Sequence, residues 1–197
     1  MENEIIMGLD VSTTTIGIVL FENMGKYGKL LELTHISPKI TAVCENKHIE
    51  MMLKSDIFKE YIEKYRGMNI KRIIIEEPLL YSNNIHTVGT LTKFNGLISR
   101  VAYDVLGAMP SYIPTYDARS CAFPELVAMG KSSKMVLFGG LPMDLDKKHV
   151  IWEKVSQREP QLKWIYNKKG VLKKENYDST DAYVCVLGKL RQTGEWE

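Results

Sequence analysis

The first part of the chain alternates between short apolar runs and turns. Residues 5–10 are apolar up to a final carboxylate, and residues 16–21 form a second apolar run after a turn rich in serine and threonine. Residues 30–36 alternate between polar and apolar side chains and stop shortly before Pro38. Short runs of this kind, bounded by turn residues, are typical of strands. The pattern predicts three antiparallel strands at the start of the chain.

The hydrophobic period then changes. Residues 47–65 carry apolar side chains at helical spacing, whereas residues 71–77 contain three consecutive isoleucines before two glutamates. An apolar run without alternation predicts a strand buried on both faces. A helix is predicted over residues 86–106 and a short strand over 111–116. Since further helical patterns follow these elements, the order predicts an α/β fold with a mixed five-stranded sheet, three antiparallel strands and then two parallel ones, flanked by helices.

The hydrophobic pattern is less regular in the later part of the chain. Helices are expected over residues 146–157 and from Tyr177 onward, and Asp117 is expected to cap a short helix. Residues 124–145 contain several glycines and Pro142, which favours a loop-rich segment around a small apolar patch. The last residues have the composition of a frayed tail.

Composition narrows the class of protein. A chain of 197 residues predicts one domain, and its net charge of +2 gives no overall field that would attract nucleic acid. Three scattered cysteines form no C-x-x-C pair, so neither a zinc site nor a disulfide framework is indicated. The N-terminus is acidic, and no apolar run is long enough to span a membrane. We therefore expect a cytoplasmic protein that is neither secreted nor membrane-bound.

Four carboxylates stand at the ends of predicted elements. Asp10 and Glu76 each end an apolar strand, while Asp178 and Asp181 lie three residues apart at the start of the last helix. Each has an ordinary explanation, because turn aspartates cap their own backbone and helix N-termini favour acids. However, clustered carboxylates repel one another unless a cation lies between them. Oxygen ligands without histidine or cysteine favour Mg²⁺ or Mn²⁺, and a pair of such ions supports phosphodiester hydrolysis.

Three motifs together resemble a known family. Gly8-Leu9-Asp10 before a hairpin, Ile75-Glu76-Glu77 at the end of a strand, and Asp178-x-x-Asp181-Ala182 at the start of the last helix are similar to the RuvC-like Holliday junction resolvases of the RNase H-like nuclease superfamily. The resemblance extends from about residue 4 to residue 190. It implies a single RNase H-like domain over residues 1–197, with an insertion at 131–145, in a divergent phage or viral type of member.

The resemblance also implies a chemistry. Asp10, Glu76, Asp178 and Asp181 would be both catalytic and the ligands of two Mg²⁺ ions, for which Mn²⁺ would substitute, with Glu77 as the alternative to Glu76. No small-molecule cofactor is implied. The products would be nicked branched DNA with 5′-phosphate and 3′-hydroxyl ends. Family members act as homodimers, and the helix at 86–106 would be the dimer element.

Two further positions follow from the same resemblance. Lys147 would be the active-site lysine that approaches the scissile phosphate, with Lys148 as the competing choice. The family carries an aromatic wedge in the loop after the second acid, where this chain has Leu79 at the ungapped position and Tyr81 nearby.

Basic residues concentrate in one segment. Residues 147–174 contain nine lysines and arginines and two glutamates, a local charge of +7 that leaves −5 for the rest of the chain. Trp152, Trp164 and Tyr166 lie among these charges and could stack on unpaired bases. A solvated basic loop with its aromatics packed inward is the alternative. The DNA contacts expected on this basis are Lys147, Lys148, Lys154, Arg158, Lys163, Lys168, Lys169 and Tyr81.

Two other functions remain open from the sequence. Gly8 to Thr14 also resembles the phosphate loop of actin-like and sugar-kinase ATPases, although those proteins need a second such domain and this chain is short for that. A catalytically inert nucleic-acid-binding module is the other possibility. Four clustered acids would work against phosphate binding in such a module, so the nuclease is favoured.

Overall fold

A five-stranded mixed sheet forms the centre of the computed structural model, which describes residues 4–78, 85–130, 134–142 and 144–197. Its strand order is β3-β2-β1-β4-β5. The three N-terminal strands are antiparallel, and β4 and β5 continue the sheet parallel to β1, as predicted. The strands are β1 (Ile5–Val11), β2 (Ile16–Asn23), β3 (Gly28–Ile36), β4 (Ile70–Glu77) and β5 (Pro110–Pro114).

Helices cover both faces of the sheet, because successive residues of the central strands point to opposite sides. Ile6 packs into one hydrophobic core, whereas Met7 packs into the other. The Met7 side holds α1 (Lys47–Ile62) and α2 (Ile85–Leu106). The Ile6 side holds α3 (Thr115–Ala122), α4 (Lys147–Arg158) and α5 (Glu175–Gln192).

Helix α5 packs unusually closely on β1 and β2. A Cβ atom on Gly17 would lie 2.0 Å from the backbone oxygen of Asp178, and one on Gly8 would lie 2.5 Å from Cγ2 of Val186. Real Cβ atoms do not come this near, so only glycine permits these contacts. The segment of α5 that carries the two predicted aspartates is therefore held directly against the strands that carry Asp10.

Several boundaries differ from those predicted. Helix α3 begins at Thr115, so Asp117 lies inside its first turn, and β5 ends at Pro114. Helix α5 begins at Glu175, before the predicted start. The segment 124–145 was expected to be loop-rich, but it contains an antiparallel hairpin of β6 (Val127–Met129) and β7 (Met135–Leu137). Strands of three residues are too short to show a periodic pattern.

The prediction of a frayed C-terminus is wrong. Trp196 is 5% exposed and packs edge-on against Phe21, with their ring centroids 5.3 Å apart. Its indole nitrogen donates a hydrogen bond to the side chain of Asn23, and the backbone N–H of Glu197 donates to Lys26. An isolated tryptophan near a chain end carries no period, so only the tertiary fold shows that it is part of the core.

The remaining general expectations concern membranes and cysteines. Over the described part of the chain, no helix is both long enough and apolar enough to cross a bilayer. Cys44, Cys121 and Cys185 are all free thiols.

Candidate metal centre

The acids of the two parallel central strands lie at the same edge of the sheet. Because β1 and β4 pair in parallel, with Leu9 opposite Ile75, the next residues on each strand, Asp10 and Glu76, are brought side by side. Asp181 approaches the same point from α5. Carboxylate oxygens of Asp10, Glu76 and Asp181 all lie within 4.8 Å of one another. Three oxygen donors at this spacing fit a hard divalent cation.

Asp178 lies one helical turn before Asp181 and is more exposed. It lines a cavity of about 320 Å³ together with Asp10, Glu76 and Asp181. It is not part of the close trio of oxygens. The structure thus brings all four sequence-predicted acids to one cavity, with three at its base and Asp178 toward its opening.

Burial and mutual repulsion destabilise the ionised form of these carboxylates. Burial, followed by the neighbouring charges of Glu76 and Asp181, raises the pKa of Asp10 well above its ordinary value. Burial and Asp181 likewise raise the pKa of Glu76. A cation bound between these carboxylates would offset their mutual repulsion.

Two cationic side chains already face the cluster. Nζ of Lys148 lies 3.2 Å from Oδ2 of Asp181 and 3.8 Å from Oδ1 of Asp178. Nη2 of Arg119 donates a hydrogen bond of 2.8 Å to Oδ1 of Asp181. Burial alone would lower the pKa of Lys148, but Asp181, Asp10 and Asp178 raise it above its ordinary value. Lys148 therefore stays charged at the mouth of the cavity.

The structure places Lys148 at the acids, and not Lys147. Nζ of Lys147 lies 5.9 Å from the centre of the Phe138 ring and does not line the cavity. The side chain of Asp146 caps α4 by accepting hydrogen bonds from the backbone N–H groups of Lys148 and His149. Ile151 and Val155 of α4 are buried in the core, which fixes the rotation of the helix, and consecutive residues point about 100° apart around it. The geometry therefore brings the competing choice, Lys148, to the acids, and the catalytic role of either lysine stays a prediction.

Two residues of the cavity were not identified from the sequence. The hydroxyl group of Thr115 donates a hydrogen bond to Glu76, and Arg119 contacts Asp181 as described. Both lie on α3, four residues apart and so on one helical face. A signal was present, because Thr115 directly follows β5, whose carboxyl end lies at the same sheet edge as Glu76. Arg119 follows from Thr115 by helical spacing.

The predicted DNA contacts lie in several places. Lys154 is paired with Glu125 at 3.0 Å, and Arg158 is exposed at the end of α4. Lys163, Lys168 and Lys169 are exposed between α4 and α5. Tyr81, like Leu79, lies outside the described residues.

The aromatic side chains of the basic segment divide into two groups. Trp152 and Trp164 pack edge-on against each other, with ring centroids 5.7 Å apart, and both are only partly exposed. Tyr166 is 49% exposed. Of the three rings expected to stack on bases, Tyr166 is thus the most accessible. The two tryptophans pack inward, as expected for a solvated basic loop, which was the alternative explanation of this segment.

An open groove of about 620 Å³ adjoins the cavity and shares Ser12, Lys148 and Asp178 with it. Lys174 and Tyr177 extend this groove away from the acids.

Ser12 closes its own turn, since its hydroxyl accepts a hydrogen bond from the Thr15 N–H at 3.0 Å. The turn is a tight connection beside Asp10, as expected. Asp146 and Glu175 also line the groove, while its hydroxyl groups and two lysines suit a phosphate backbone approaching metal ions.

Two solved structures of RuvC from Thermus thermophilus are similar to this chain over nearly its whole length. The complex of T. thermophilus RuvC with Holliday junction substrate is 10% identical, covers 96% of each chain and has a TM-score of 0.58. A second T. thermophilus RuvC structure is 14% identical, covers 97% of each chain and has a TM-score of 0.56. These likenesses confirm the RNase H-like fold.

Other comparisons add little. A ROK hexokinase from Thermus thermophilus is 15% identical over 60% of this chain and 38% of its own, with a TM-score of 0.36, which is too weak to carry an argument. No protein-family model matches the chain. No curated protein sequence matches it either.

Proposed function

We propose that the protein is a metal-dependent endonuclease that recognises branched DNA and resolves four-way junctions. The observation that carries the proposal is the convergence of Asp10, Glu76 and Asp181, with Asp178 beside them, next to an open groove whose lining includes Lys148 and Lys174. The RuvC-like fold supports the same activity. On this proposal the chain is a divergent, phage or viral type of resolvase that acts in the cytoplasm.

The charge of the cavity supports divalent ions. Asp10, Glu76, Glu77, Asp178 and Asp181 all line the cavity and carry five negative charges when ionised, of which Lys148 and Arg119 offset two. One Mg²⁺ ion would still leave one negative charge without compensation. The scissile phosphate brings a further negative charge, which favours a second ion once DNA is bound. Asp10, Glu76, Asp178 and Asp181 would be the ligands, and Mn²⁺ would substitute.

The reaction forms a bond between a water oxygen and phosphorus and breaks the bond from phosphorus to O3′. This leaves a 5′-phosphate and a 3′-hydroxyl group. Bound ions would supply an activated water and offset the charge on the leaving oxygen. Lys148, at the mouth of the cavity, would contact a phosphate oxygen. Arg119 and Thr115 would fix the orientation of Asp181 and Glu76 by the hydrogen bonds described above.

A homodimer would place two such sites on one junction. By resemblance, α2 is the dimer element, and the surface formed by α1 and α2 exposes several apolar side chains. These are Met52 at 57%, Ile85 at 77% and Tyr103 at 37% exposure. An apolar face of this kind favours association with a second copy.

The proposal is tested by offering a synthetic four-way junction, a flap and a linear duplex side by side, each with Mg²⁺, Mn²⁺ or EDTA. We expect paired nicks in the junction only when a metal is present, little cleavage of the linear duplex, and products that DNA ligase reseals. A junction left intact by both metals would refute the proposal. Turnover of ATP under the same conditions would instead favour the kinase-like alternative.

The two adjacent lysines provide a matched pair of variants. We expect Lys148→Ala to slow junction nicking by about 100-fold, because removal of one group that stabilises transition-state charge typically costs that much. Lys147→Ala should change the rate by less than about 3-fold, since its amino group lies over Phe138. Single-turnover nicking rates measure both effects, and the reverse order of sensitivity would return the role to Lys147.

A further inference from the structure

The segment between α4 and α5 is a built hairpin. We call residues 163–174 the basic hairpin. Its two sides meet at a β-bridge between Tyr166 and Leu172. The side chain of Asn167 accepts hydrogen bonds from the backbone N–H groups of Lys169 and Val171, and Gly170 has the positive φ of +75° that the turn requires. These contacts define the turn without using its lysine side chains.

Asn176 anchors the basic hairpin to α5. This residue is 4% exposed, and its amide nitrogen donates to the backbone oxygens of Ile165 at 2.7 Å and Lys173 at 2.9 Å. Its side-chain oxygen accepts a hydrogen bond of 3.0 Å from the Ile165 N–H. One buried amide therefore joins both sides of the hairpin. Asn176 is two residues from Asp178, so the hairpin has a fixed position relative to the metal centre.

The charge of the basic hairpin is unbalanced. Its five lysines, with no acid among its residues, are all exposed: Lys163, Lys168, Lys169, Lys173 and Lys174. Among the described residues none of the five forms an ion pair. Tyr166 at 49% and Val171 at 58% exposure project between them. The fold makes no ion pair with these lysines, which leaves them available to a polyanion.

The basic hairpin continues the groove that leads to the acids. Lys174, at its base, lines the groove together with Lys148 and Asp178. The tip at Lys168 lies three residues beyond Ile165, or roughly 10 Å along an extended strand. The contact between Ile165 and Asn176 adds roughly 6 Å and the helix from Asn176 to Asp181 roughly 8 Å, so the tip lies within roughly 25 Å of the metal centre. That distance corresponds to about seven base pairs of duplex.

We infer that the basic hairpin grips the duplex arm that leaves the cleavage site, with Lys168 and Lys169 on its backbone phosphates. The inference rests on the proposed function and adds a substrate requirement to it. The preferred branched substrates carry a duplex arm of more than about seven base pairs beside the scissile phosphate. Shorter arms end before they reach the tip.

The test combines two charge-removing variants with arms of two lengths. Lys168→Ser with Lys169→Ser removes the tip charges, and Lys59→Ser with Lys71→Ser removes the same charge from exposed positions on α1 and at the start of β4. Both are made in the Asp10→Asn background to prevent cleavage. The DNAs are four-way junctions in which one arm is 3 or 12 base pairs long and is closed by a stable loop.

With the 12-base-pair arm we expect the tip variant to bind about 50-fold more weakly in about 0.1 M salt, because two lost phosphate contacts reduce the salt slope by about 1.8. With the 3-base-pair arm the loss should be less than about 3-fold, and the control variant should change neither. The melting temperature should not change, since Asn167 and Gly170 hold the turn.

An equal loss on both arms, or no loss on either, would overturn the inference while the proposed function stood. If the Asp10→Asn parent binds no junction and the wild-type protein cuts none, the proposed function and the inference fail together. Fluorescence anisotropy with labelled DNA measures the binding, and nicking by the wild-type protein is measured in parallel.

Discussion

Asp10→Asn is expected to slow junction nicking by at least about 10³-fold while junction binding is retained. Loss of a metal ligand at the base of the cavity removes several kcal/mol of transition-state stabilisation, and about 4 kcal/mol corresponds to that factor. Binding should be equal or tighter, because the substitution removes a negative charge that faces phosphate. Single-turnover nicking and anisotropy on the same junction measure the two effects.

Asp56→Asn is the matched control for this substitution. Asp56 is exposed on α1 and lies outside the cavity of the four acids. Its replacement should leave both nicking and binding within about 2-fold of the wild-type protein, because isolated surface charges contribute little. Residual nicking by Asp10→Asn at a tenth of the wild-type rate would show that the ions are not held by the cluster that contains Asp10.

The second large effect concerns the pH dependence of the protein's stability. We expect bound metal ions to reverse it. The pKa of Asp10, Glu76 and Asp178 is raised in the folded protein, in each case first by burial. A carboxyl group with a raised folded pKa binds more protons when folded than when unfolded. Its protonated form stabilises the fold at low pH, and that contribution is lost as pH rises through the folded pKa. The metal-free protein should therefore melt at a lower temperature at pH 8 than at pH 5, through this cluster.

The stabilisation that Mg²⁺ or Mn²⁺ adds should increase with pH, because the ions bind the deprotonated acids. At a concentration of about 100 times its dissociation constant, a metal adds roughly 2.7 kcal/mol to the free energy of unfolding. For a chain of this length that is about 5–10 °C in melting temperature. The gain should be largest at pH 8 and small at pH 5.

Asp10→Asn separates the two parts of this effect. The neutral amide removes one buried charge, so the metal-free variant should melt higher than the wild-type protein at pH 8 and gain little from Mg²⁺. Calorimetric scans at pH 5, 6.5 and 8, with metal or with EDTA, measure these differences. If the increase in melting temperature on adding metal were independent of pH and unchanged in Asp10→Asn, the ion would bind elsewhere.

The four acids could be predicted because their signals are local. Asp10 and Glu76 each interrupt an apolar strand, and Asp178 and Asp181 share one helical face, so period and spacing identify them. The order of the elements follows from the same patterns, since three successive strands precede two strands separated by a helix. The structure confirms the mixed five-stranded sheet and brings the four acids together.

The contacts that the sequence did not distinguish depend on packing between distant elements. Lys147 and Lys148 are chemically identical, and only the packing of α4 shows that Lys148 is the one beside Asp181. Arg119 reaches the acids because α3 packs against α5, where a Cβ on Gly188 would lie 2.2 Å from the backbone oxygen of Ala118. Contacts of this kind leave no periodic signal in a single sequence.

The close packing of α5 on β1 and β2 has a consequence for the energetics of metal capture. Glycines at positions 8 and 17 leave no free space between the helix and the strands, so the backbone that carries Asp178 and Asp181 is fixed before any ion arrives. The entropic cost of ordering the ligands is therefore part of folding and does not weaken metal binding. An ion that enters the cavity therefore meets ligands that are already in place, and its affinity depends mainly on displacing protons and water.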